Sequence, residues 1–348
     1  MAGRSAIGLD IGTSGVRAAE LSFARGGVTL EKFGQKALPE GAVRDGEIVD
    51  SAAVTAAISE LWSRTGFSQK KVALGVANQR VVVRQIDLPE MAPSDIKKSL
   101  PYQVQDYLPM PVEQAVLDFH PTETVELNGV RHMRGLLVAA SRDGVMEAIR
   151  CVEAAGLKPT SVDLIGFAVL RSMGTIDDPT VRTEAIIDVG ARVTNIVIHT
   201  AGVPQFVRML LTGGQDITDA VSERGGLDHF EAEGVKQQIG LGQAGPEWAG
   251  VSRALDSSVQ SLLDEVRGSL DYFASSNPDN VVQRIVLSGG GSRLIGFGER
   301  LANVSRLPVL MGNPTRSLQI GDTGLSDDQL ATVQPLAAVP VGLALGAA

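Results

Sequence analysis

The chain has 348 residues, enough for two domains of ordinary size with a substantial core. At 44% hydrophobic and 20% charged it reads as globular rather than disordered, and a formal charge of −9 argues against broad binding to nucleic acid or anionic membranes. A single cysteine, Cys151, excludes an intramolecular disulfide and a cysteine-based zinc site.

The N-terminal residues MAGRSAIGLD run into a strand pattern without the features of a signal peptide. Residues 5–38 read as three strands in an antiparallel meander. Helical spacing follows over residues 50–61, with Val54, Ile58 and Leu61 on one face and Asp50 or Ser51 as cap. Residues 71–76 read as a buried strand and residues 81–86 alternate again. The texture changes at Leu88, where Pro89, Pro93, Pro101, Pro109 and Pro111 punctuate short helical pieces. Pro101 is expected to bend or break its helix unless it opens the next one. Strands over 113–119 and 131–140 and an amphipathic helix over 143–155, closed by Gly156, complete an expected insertion.

The chain then returns through residues 161–173, helical after Asp163, and a polar linker over 175–183. At Glu184 the N-terminal plan begins again. Residues 185–190 (AIIDVG) repeat the apolar run ending in Asp-x-Gly of residues 5–12 (SAIGLDIG), and each is followed by an alternating segment, a Gly turn and a third alternating segment. Helices are expected over 217–223 and 230–239, a flexible loop over 240–250, and a long helix over 251–273 striped by Leu255, Val259, Leu262, Val266 and Leu270. A strand over 280–287, a helix over 294–304, a strand over 307–311 and a helical stretch over 329–333 precede an apolar tail, 336–348. That tail is too short to span a bilayer and contains Pro340, so a cytoplasmic protein is expected.

Two matching units predict two similar α/β domains facing each other across one ligand. The expected division is 1–87 for the first lobe, 88–160 for the insertion and 161–183 for the return. Residues 184–224 form the second lobe, 225–275 its smaller subdomain, and 276–348 the second lobe with a final return to the first.

Four loops rich in Gly, Thr and Ser each follow an apolar strand: 10–15, 188–192, 211–216 and 288–292. Exposed backbone amides in such turns donate to phosphate oxygens, and hydroxyls add donors. The candidates are Gly12, Thr13, Ser14 and Gly15, then Gly190 and Thr194, then Gly213 and Gly214, then Gly289, Gly290, Gly291 and Ser292. The spacing is neither that of a P-loop nor G-x-G-x-x-G on a first strand. Singly, each loop is a tight turn; jointly they point to a nucleotide cleft. Asp10 and Asp188, at the mouths of two facing strands, are the candidate carboxylates for a hydrated Mg2+ beside the phosphates, against the alternative that each caps its own turn. Arg17 either reaches a phosphate or faces solvent. Glu233 and Lys236, three apart on a helix, either contact the nucleoside or form a surface pair. His120, His132, His199 and His229 show no metal spacing and read as structural or surface residues.

These residues resemble the actin-like ATPase superfamily, which includes actin, sugar kinases, Hsp70 chaperones and the division protein FtsA. GLDIGTSGVR (residues 8–17) is similar to its first phosphate motif and IIDVGARVTNI (186–196) to its second. TGGQDIT (212–218), FEAEGVK (230–236) and IVLSGGGSRLIGF (285–297) are similar to its glycine pair, nucleoside helix and adenosine motif. The inserted stretch MAPSDIKKSLPYQVQDYLPMPVEQAVLDF (91–119) resembles the PilM family of type IV pilus assembly proteins.

The resemblance implies a two-lobed actin-like fold of duplicated ribonuclease-H-like domains, with the insertion as subdomain 1C. It implies binding of ATP with Mg2+ and a cytoplasmic position at the inner face of the inner membrane. The implied partner is the cytoplasmic N-terminus of PilN, with PilO and the pilus motor reached indirectly and a homo-oligomer open. Exposed Tyr102 and Tyr107 are candidates for the partner groove, whereas Phe119 is expected to pack inside the insertion. The family commonly has Lys where Arg17 stands, and Arg still meets phosphate bidentately. Actin-like hydrolases usually offer Gln or an acidic residue after the insertion; residues 164–169 (LIGFAV) are apolar here, leaving Asp163 as the nearest catalytic candidate. An ATP-binding adaptor, at most a slow ATPase, is therefore the leading expectation. A filament-forming division protein and a small-molecule kinase of the same superfamily are the alternatives.

Overall fold

A computed structural model describes residues 4–174, 180–242 and 245–348. Strands β1 (Arg4–Ile11), β2 (Gly15–Ala24) and β3 (Gly27–Ala37) form the antiparallel meander expected at the start of the chain. A short hairpin, β4 (Val43–Arg44) and β5 (Glu47–Ile48), leads into α1 (Ser51–Thr65). Asp50 caps this helix by accepting from the Ala53 amide at 2.9 Å, and Gly66 ends it in the left-handed region. Strand β6 (Lys71–Val76) then runs parallel to β1.

The insertion is a three-stranded sheet in the order β7 (Val82–Pro89), β9 (Val130–Ser141), β8 (Ala115–Leu127), with α2 (Pro93–Gln103) packed against β8. Its sheet starts at Val82, before the compositional change at Leu88, because β7 pairs with β9 along its whole length. Pro101 lies inside α2 instead of breaking it. It sits in the last turn, where its missing amide removes little of the helical ladder. Phe119 packs in the insertion's core with Ile86, Leu100 and Leu137, while Tyr102 and Tyr107 are exposed.

Helix α3 (Arg142–Ala154) brings the chain back to β10 (Lys158–Leu164), which pairs parallel to β6. The sequence reading contained no strand over 158–162. β10 is an edge strand and mostly exposed, so it lacks the alternation that marks half-buried strands. Helix α4 (Ile165–Met173) follows directly. Most of the linker expected over 175–183 lies outside the described residues.

The second half repeats the plan. Strands β11 (Thr183–Val189), β12 (Thr194–Thr200) and β13 (Val203–Leu210) form another antiparallel meander. Helices α5 (Gly214–Gly225), α6 (His229–Ile239) and α7 (Ala249–Ser276) come next. Part of the loop expected over 240–250 lies outside the described residues, and Pro246–Trp248 form a short 3-10 turn leading into α7. Then follow β14 (Arg284–Ser288), α8 (Phe297–Ser305), β15 (Val309–Met311), β16 (Gln319–Ile320), α9 (Asp327–Val333) and α10 (Ala338–Gly346).

The sheet orders are β10-β6-β1-β2-β3-β16 and β13-β12-β11-β14-β15. In each, the first strand of the unit lies between its antiparallel hairpin partner and a later parallel strand: β1 between β2 and β6, β11 between β12 and β14. Both strands are covered on two faces, which is why they read as continuous apolar runs.

Helices α4 and α10 fill the space between the sheets, packing Ala168 and Leu343 against Val197, Val207 and Val286. The apolar tail is thus a core helix. It sits so close to β1 that a Cβ on Gly8 would lie 2.0 Å from the Pro340 carbonyl oxygen. Among the described residues no single helix is long and apolar enough to cross a membrane.

At the base of β11 the fully buried Glu184 is ion-paired with Arg284, and its other oxygen lies 3.4 Å from His199 Nε2. The Gly202 amide donates to His199 Nδ1 at 3.2 Å, which leaves the ring proton on Nε2, facing the carboxylate. Burial pushes the Glu184 pKa up, but the bonds from His199 and Arg284 outweigh it and hold the group below its ordinary value.

Candidate functional site

Strands β1 and β11 both point their C-terminal ends into one cleft of about 750 Å³, and Asp10 and Asp188 line it together. In the first loop the Gly12 amide donates to the Gly15 carbonyl at 3.0 Å, which closes the turn and leaves Gly12, Thr13 and Ser14 on the cleft wall. Gly15 is held in the sheet opposite Ala37 and does not line the cleft. Arg17 faces Asp10 directly across the β1–β2 pair. Its Nη1 lies 3.7 Å from Asp10 Oδ2 and its Nη2 donates to Ser14 Oγ at 3.0 Å.

The second loop is built alike, with the Gly190 amide donating to the Val193 carbonyl at 2.9 Å. Thr194 is fully buried and donates through Oγ1 to the Thr212 carbonyl at 2.8 Å, so it braces the second loop to the third without facing the cleft. The third loop is sewn to the second as well. The amides of Gly214 and Gln215 donate to the carbonyls of Gly190 and Ala191 at 2.9 and 2.7 Å, and the Gly213 amide donates to Asp216 Oδ2 at 2.7 Å. A Cβ on Gly213 would sit 2.5 Å from the Gly190 oxygen, so glycine is required for this approach. These amides hold the loops together, and only Gly214 of the pair lines the cleft.

In the fourth loop Gly289 adopts φ +86°, and a Cβ there would meet the Val189 oxygen at 2.3 Å. Ser292 is buried, its hydroxyl donating to the Gly289 carbonyl at 2.6 Å, while Gly289, Gly290 and Gly291 line the cleft. On α6, Lys236 is buried and donates to the Gly214 carbonyl at 2.9 Å and to Thr218 Oγ1 at 2.7 Å, and its Nζ lies 2.6 Å from Glu233 Oε2. The Glu233–Lys236 pair is therefore neither a free surface pair nor two free ligand contacts. It pins α6 to α5 while both residues line the cleft. Burial raises the pKa of Glu233, but hydrogen bonds from Lys236 and Thr218 prevail and keep it below the ordinary carboxylate value.

Asp163 lies outside the cleft lining. One of its oxygens accepts from the Leu164 amide at 2.8 Å and the other is ion-paired with Arg171. Ile165, at the start of α4, lines the cleft instead. Several lining residues went unmarked in the sequence. On α6 they are His229, Phe230 and Gln237, one helical step from Glu233 and Lys236, so extending that face by a turn finds them. Gln215 and Arg293 directly follow the candidates Gly214 and Ser292. Asn195 is the counterpart of Arg17: it faces Asp188 across β11–β12 as Arg17 faces Asp10.

Burial raises the Asp10 pKa against the opposing charge and hydrogen bond of Arg17. Asp188 is pushed up to about 7, first by burial and then by the charge of Asp10, with hydrogen bonding from Ser288, the charge of Arg17 and hydrogen bonding from Asn195 opposing the rise. Two buried carboxylates that disfavour each other's ionisation form a site that a cation relieves. Among the described residues no group of three or more His, Cys, Asp or Glu side chains gathers to cage a metal. Two carboxylates suit Mg2+, which keeps most of its water shell and takes further oxygens from phosphates.

Residues 8–348 match the family described as type IV pilus assembly protein PilM. The chain belongs to that family. It superposes on the PilM–PilN type IV pilus biogenesis complex with a TM-score of 0.85 and 27% identity, covering 98% of each chain. The cell division protein FtsA of Bacillus subtilis is 24% identical over 258 residues, which are 67% of this chain and 58% of that protein's length. MreB 5 of Spiroplasma citri bound to AMPPNP shares the fold, with a TM-score of 0.52 and 14% identity over 97% of this chain and 94% of that one. The fold is accordingly the α/β fold of actin and Hsp70, and nucleotide is held on it in related structures.

Proposed function

We propose that the chain is a cytoplasmic, ATP-binding adaptor of the type IV pilus inner-membrane platform that grips the N-terminal tail of PilN. The observation that carries this is the near-complete likeness, insertion included, to the PilM–PilN complex. The membrane is then reached through the partner, and PilO and the pilus motor are reached through the platform. The repeated sheet plan supports a reading as two ribonuclease-H-like lobes with the insertion as subdomain 1C. In that reading residues 1–81 and 161–183 belong to the first lobe, 184–224 and 276–348 to the second with a C-terminal return to the first through β16 and α10, and 225–275 to its smaller subdomain, with the insertion widened from 88–160 to start at Val82 and include β7.

The cleft is the ATP site. Asp10 and Asp188 hold a hydrated Mg2+, which supplies neutralising charge beside the phosphates. Thr13, Ser14 and Arg17 face the phosphates; Glu233 with Lys236 on one side and Gly289, Gly290 and Gly291 on the other flank the nucleoside. Gly15, Thr194, Gly213 and Ser292 act one layer back, holding the loops in shape. Nucleotide bridging the two sheets biases how they sit against each other and so the surface offered to the partner.

Calorimetric titration of the full chain with a synthetic peptide of the PilN cytoplasmic N-terminus, with and without Mg–ATP, tests the reading. Saturable binding whose affinity changes with nucleotide is expected; absence of binding in both conditions sinks it. The likeness to FtsA favours a second reading as a filament-forming protein. ATP-dependent filaments in electron micrographs, without peptide capture, would select it.

A further inference from the structure

The edge of the first sheet opposite the cleft has a character of its own. Strands β1, β6 and β10 run parallel, so their starts share that edge. Arg4 opens β1, Lys71 opens β6 directly after Lys70, and Lys158 opens β10. The β2–β3 turn reaches the same edge, since Arg4 stands opposite Phe23 and the turn carries Arg25. Across the order β10-β6-β1-β2-β3 the five cations form one row, about 15–20 Å long at about 4.8 Å between strands.

All five are exposed, none lines the cleft, and none has an acidic partner among the described residues. The acids of the neighbouring strands are occupied: Glu20 is buried and accepts from the Ser68 amide at 3.0 Å, and Glu31 accepts from the Ser22 hydroxyl. Glu153, exposed at the end of α3, precedes Lys158 in the chain. Lys71 and Lys158 are directly opposed on their strands, and like charges so placed repel. A lysine on an edge strand guards it against further pairing, which accounts for Lys158. It does not account for Arg4, Lys70 and Lys71, which stand at the starts of inner strands.

In a chain of net charge −9 this row gathers unpaired positive charge in one place. It stands on separate strand starts and a turn along a straight sheet edge, so what matches it is a broad, flat anionic surface and not a single bound anion. We propose that this edge is a docking surface for an anionic lipid bilayer, so that the chain touches the membrane directly as well as through its partner. Clusters of four to eight Lys and Arg are drawn to the negative lipids of a cytoplasmic leaflet. The proposal rests on the adaptor reading for its setting at the membrane, while the binding itself is tested without the partner. Arg4 and Asp10 lie towards opposite ends of β1, about 20 Å apart at about 3.4 Å per residue. An edge lying on lipid thus turns the cleft away from the membrane and leaves nucleotide free to enter from solvent.

The test is flotation of the full chain over a range of lipid concentrations, with vesicles of phosphatidylcholine alone and of phosphatidylcholine mixed with phosphatidylglycerol. Wild type should float with the anionic vesicles only. It should come off them between about 0.1 M and about 1 M salt, where the Debye length falls from about 10 to about 3 Å. At about fivefold per cation near the surface, the double variant Lys70→Glu/Lys158→Glu should bind at least about twenty-fivefold more weakly. Its melting temperature should not fall, because an acidic side chain then faces Lys71 across the strand pair. Lys97→Glu/Lys98→Glu makes the same change of net charge on the exposed face of α2, and should keep wild-type binding to within about threefold. Wild-type binding no tighter to anionic than to neutral vesicles overturns the proposal, as does an equal loss in the two double variants. So does a wild type that ignores vesicles yet binds polyglutamate through Lys70 and Lys158, which assigns the row to an acidic protein. Capture of the PilN peptide is measured separately, so failure on vesicles is distinct from failure of the adaptor reading.

Discussion

Replacing Asp188 with Asn should stabilise the protein in the absence of nucleotide while removing its response to Mg–ATP. The Asp188 pKa stands at about 7 in the folded chain against an ordinary value of 3.8, chiefly through burial and the neighbouring charge of Asp10. The folded state therefore binds this proton more tightly than the unfolded state. The stability linked to the protonated form is fully present below about pH 4 and is lost as pH rises through about 7. Three pKa units at about 1.4 kcal/mol each put the whole loss on the order of 4 kcal/mol, with about half of it falling between pH 5.5 and 8. Urea unfolding in EDTA at those two pH values measures it. The stability difference D188N minus wild type should grow by about 2 kcal/mol from the lower pH to the higher. A difference that does not change with pH would mean that Asp188 is not held ionised against burial and Asp10, and the cation-binding argument would lose its electrostatic basis.

Asp10→Ala should abolish the Mg2+-dependent part of ATP binding, read by titration in Mg2+ and in EDTA, and an unchanged Mg2+ response would remove Asp10 from the ion site. Glu184→Ala leaves the half-buried Arg284 and the buried His199 without their carboxylate, so it should cost about 3–5 kcal/mol in urea unfolding. Because Glu184 lies at the far end of β11 from Asp188, ATP affinity of the folded fraction should not change. Gly8→Ala would drive a methyl into the Pro340 carbonyl and the Ala344 amide, and should cost at least about 1–3 kcal/mol by forcing α10 off β1. A melting temperature equal to wild type would refute that packing.

The first strand of each meander was legible because burial on two faces leaves an uninterrupted apolar run, the strands after it were legible from their alternation, and the duplicated Asp-x-Gly ends exposed the pairing of the halves. The same logic failed for β10, an exposed edge strand, and for the outer half of β8, where residues such as Thr124 and Glu126 lie on a surface that imposes no apolar pattern. Composition marked the insertion late because β7 joins a new sheet while its residues still read like the first one. In the cleft, glycine and aspartate positions were readable from the loops, but the division of labour among them was not. Whether Gly213 or Thr194 meets a ligand or a neighbouring carbonyl depends on how closely two loops approach, which is a tertiary distance. Asn195 was readable in principle, since aligning the two repeats sets it opposite Asp188 as Arg17 is set opposite Asp10.

The placement of Asp163 bears on whether ATP is held or consumed. It is the acidic residue nearest the apolar stretch that enters the cleft, yet its carboxylate is occupied by Arg171 and by the Leu164 amide, and Arg171 also donates to the Gly342 carbonyl at 3.0 Å. Asp163 therefore ties β10, α4 and α10 together, and the cleft wall beside it is the apolar side chain of Ile165. A group that positions or deprotonates the attacking water contributes about 10²–10⁴ in rate, so D163N in a hydrolase that relied on it would lose at least about a hundredfold in turnover. Here D163N should leave both ATP affinity and any slow turnover within about twofold, and cost about 1 kcal/mol or less, the share of one partly exposed ion pair. A hundredfold fall in turnover with unchanged stability would overturn this assignment. It would make the chain an ATPase whose carboxylate swings into the cleft, and nucleotide would then be spent in each cycle instead of serving as a lasting brace between the sheets.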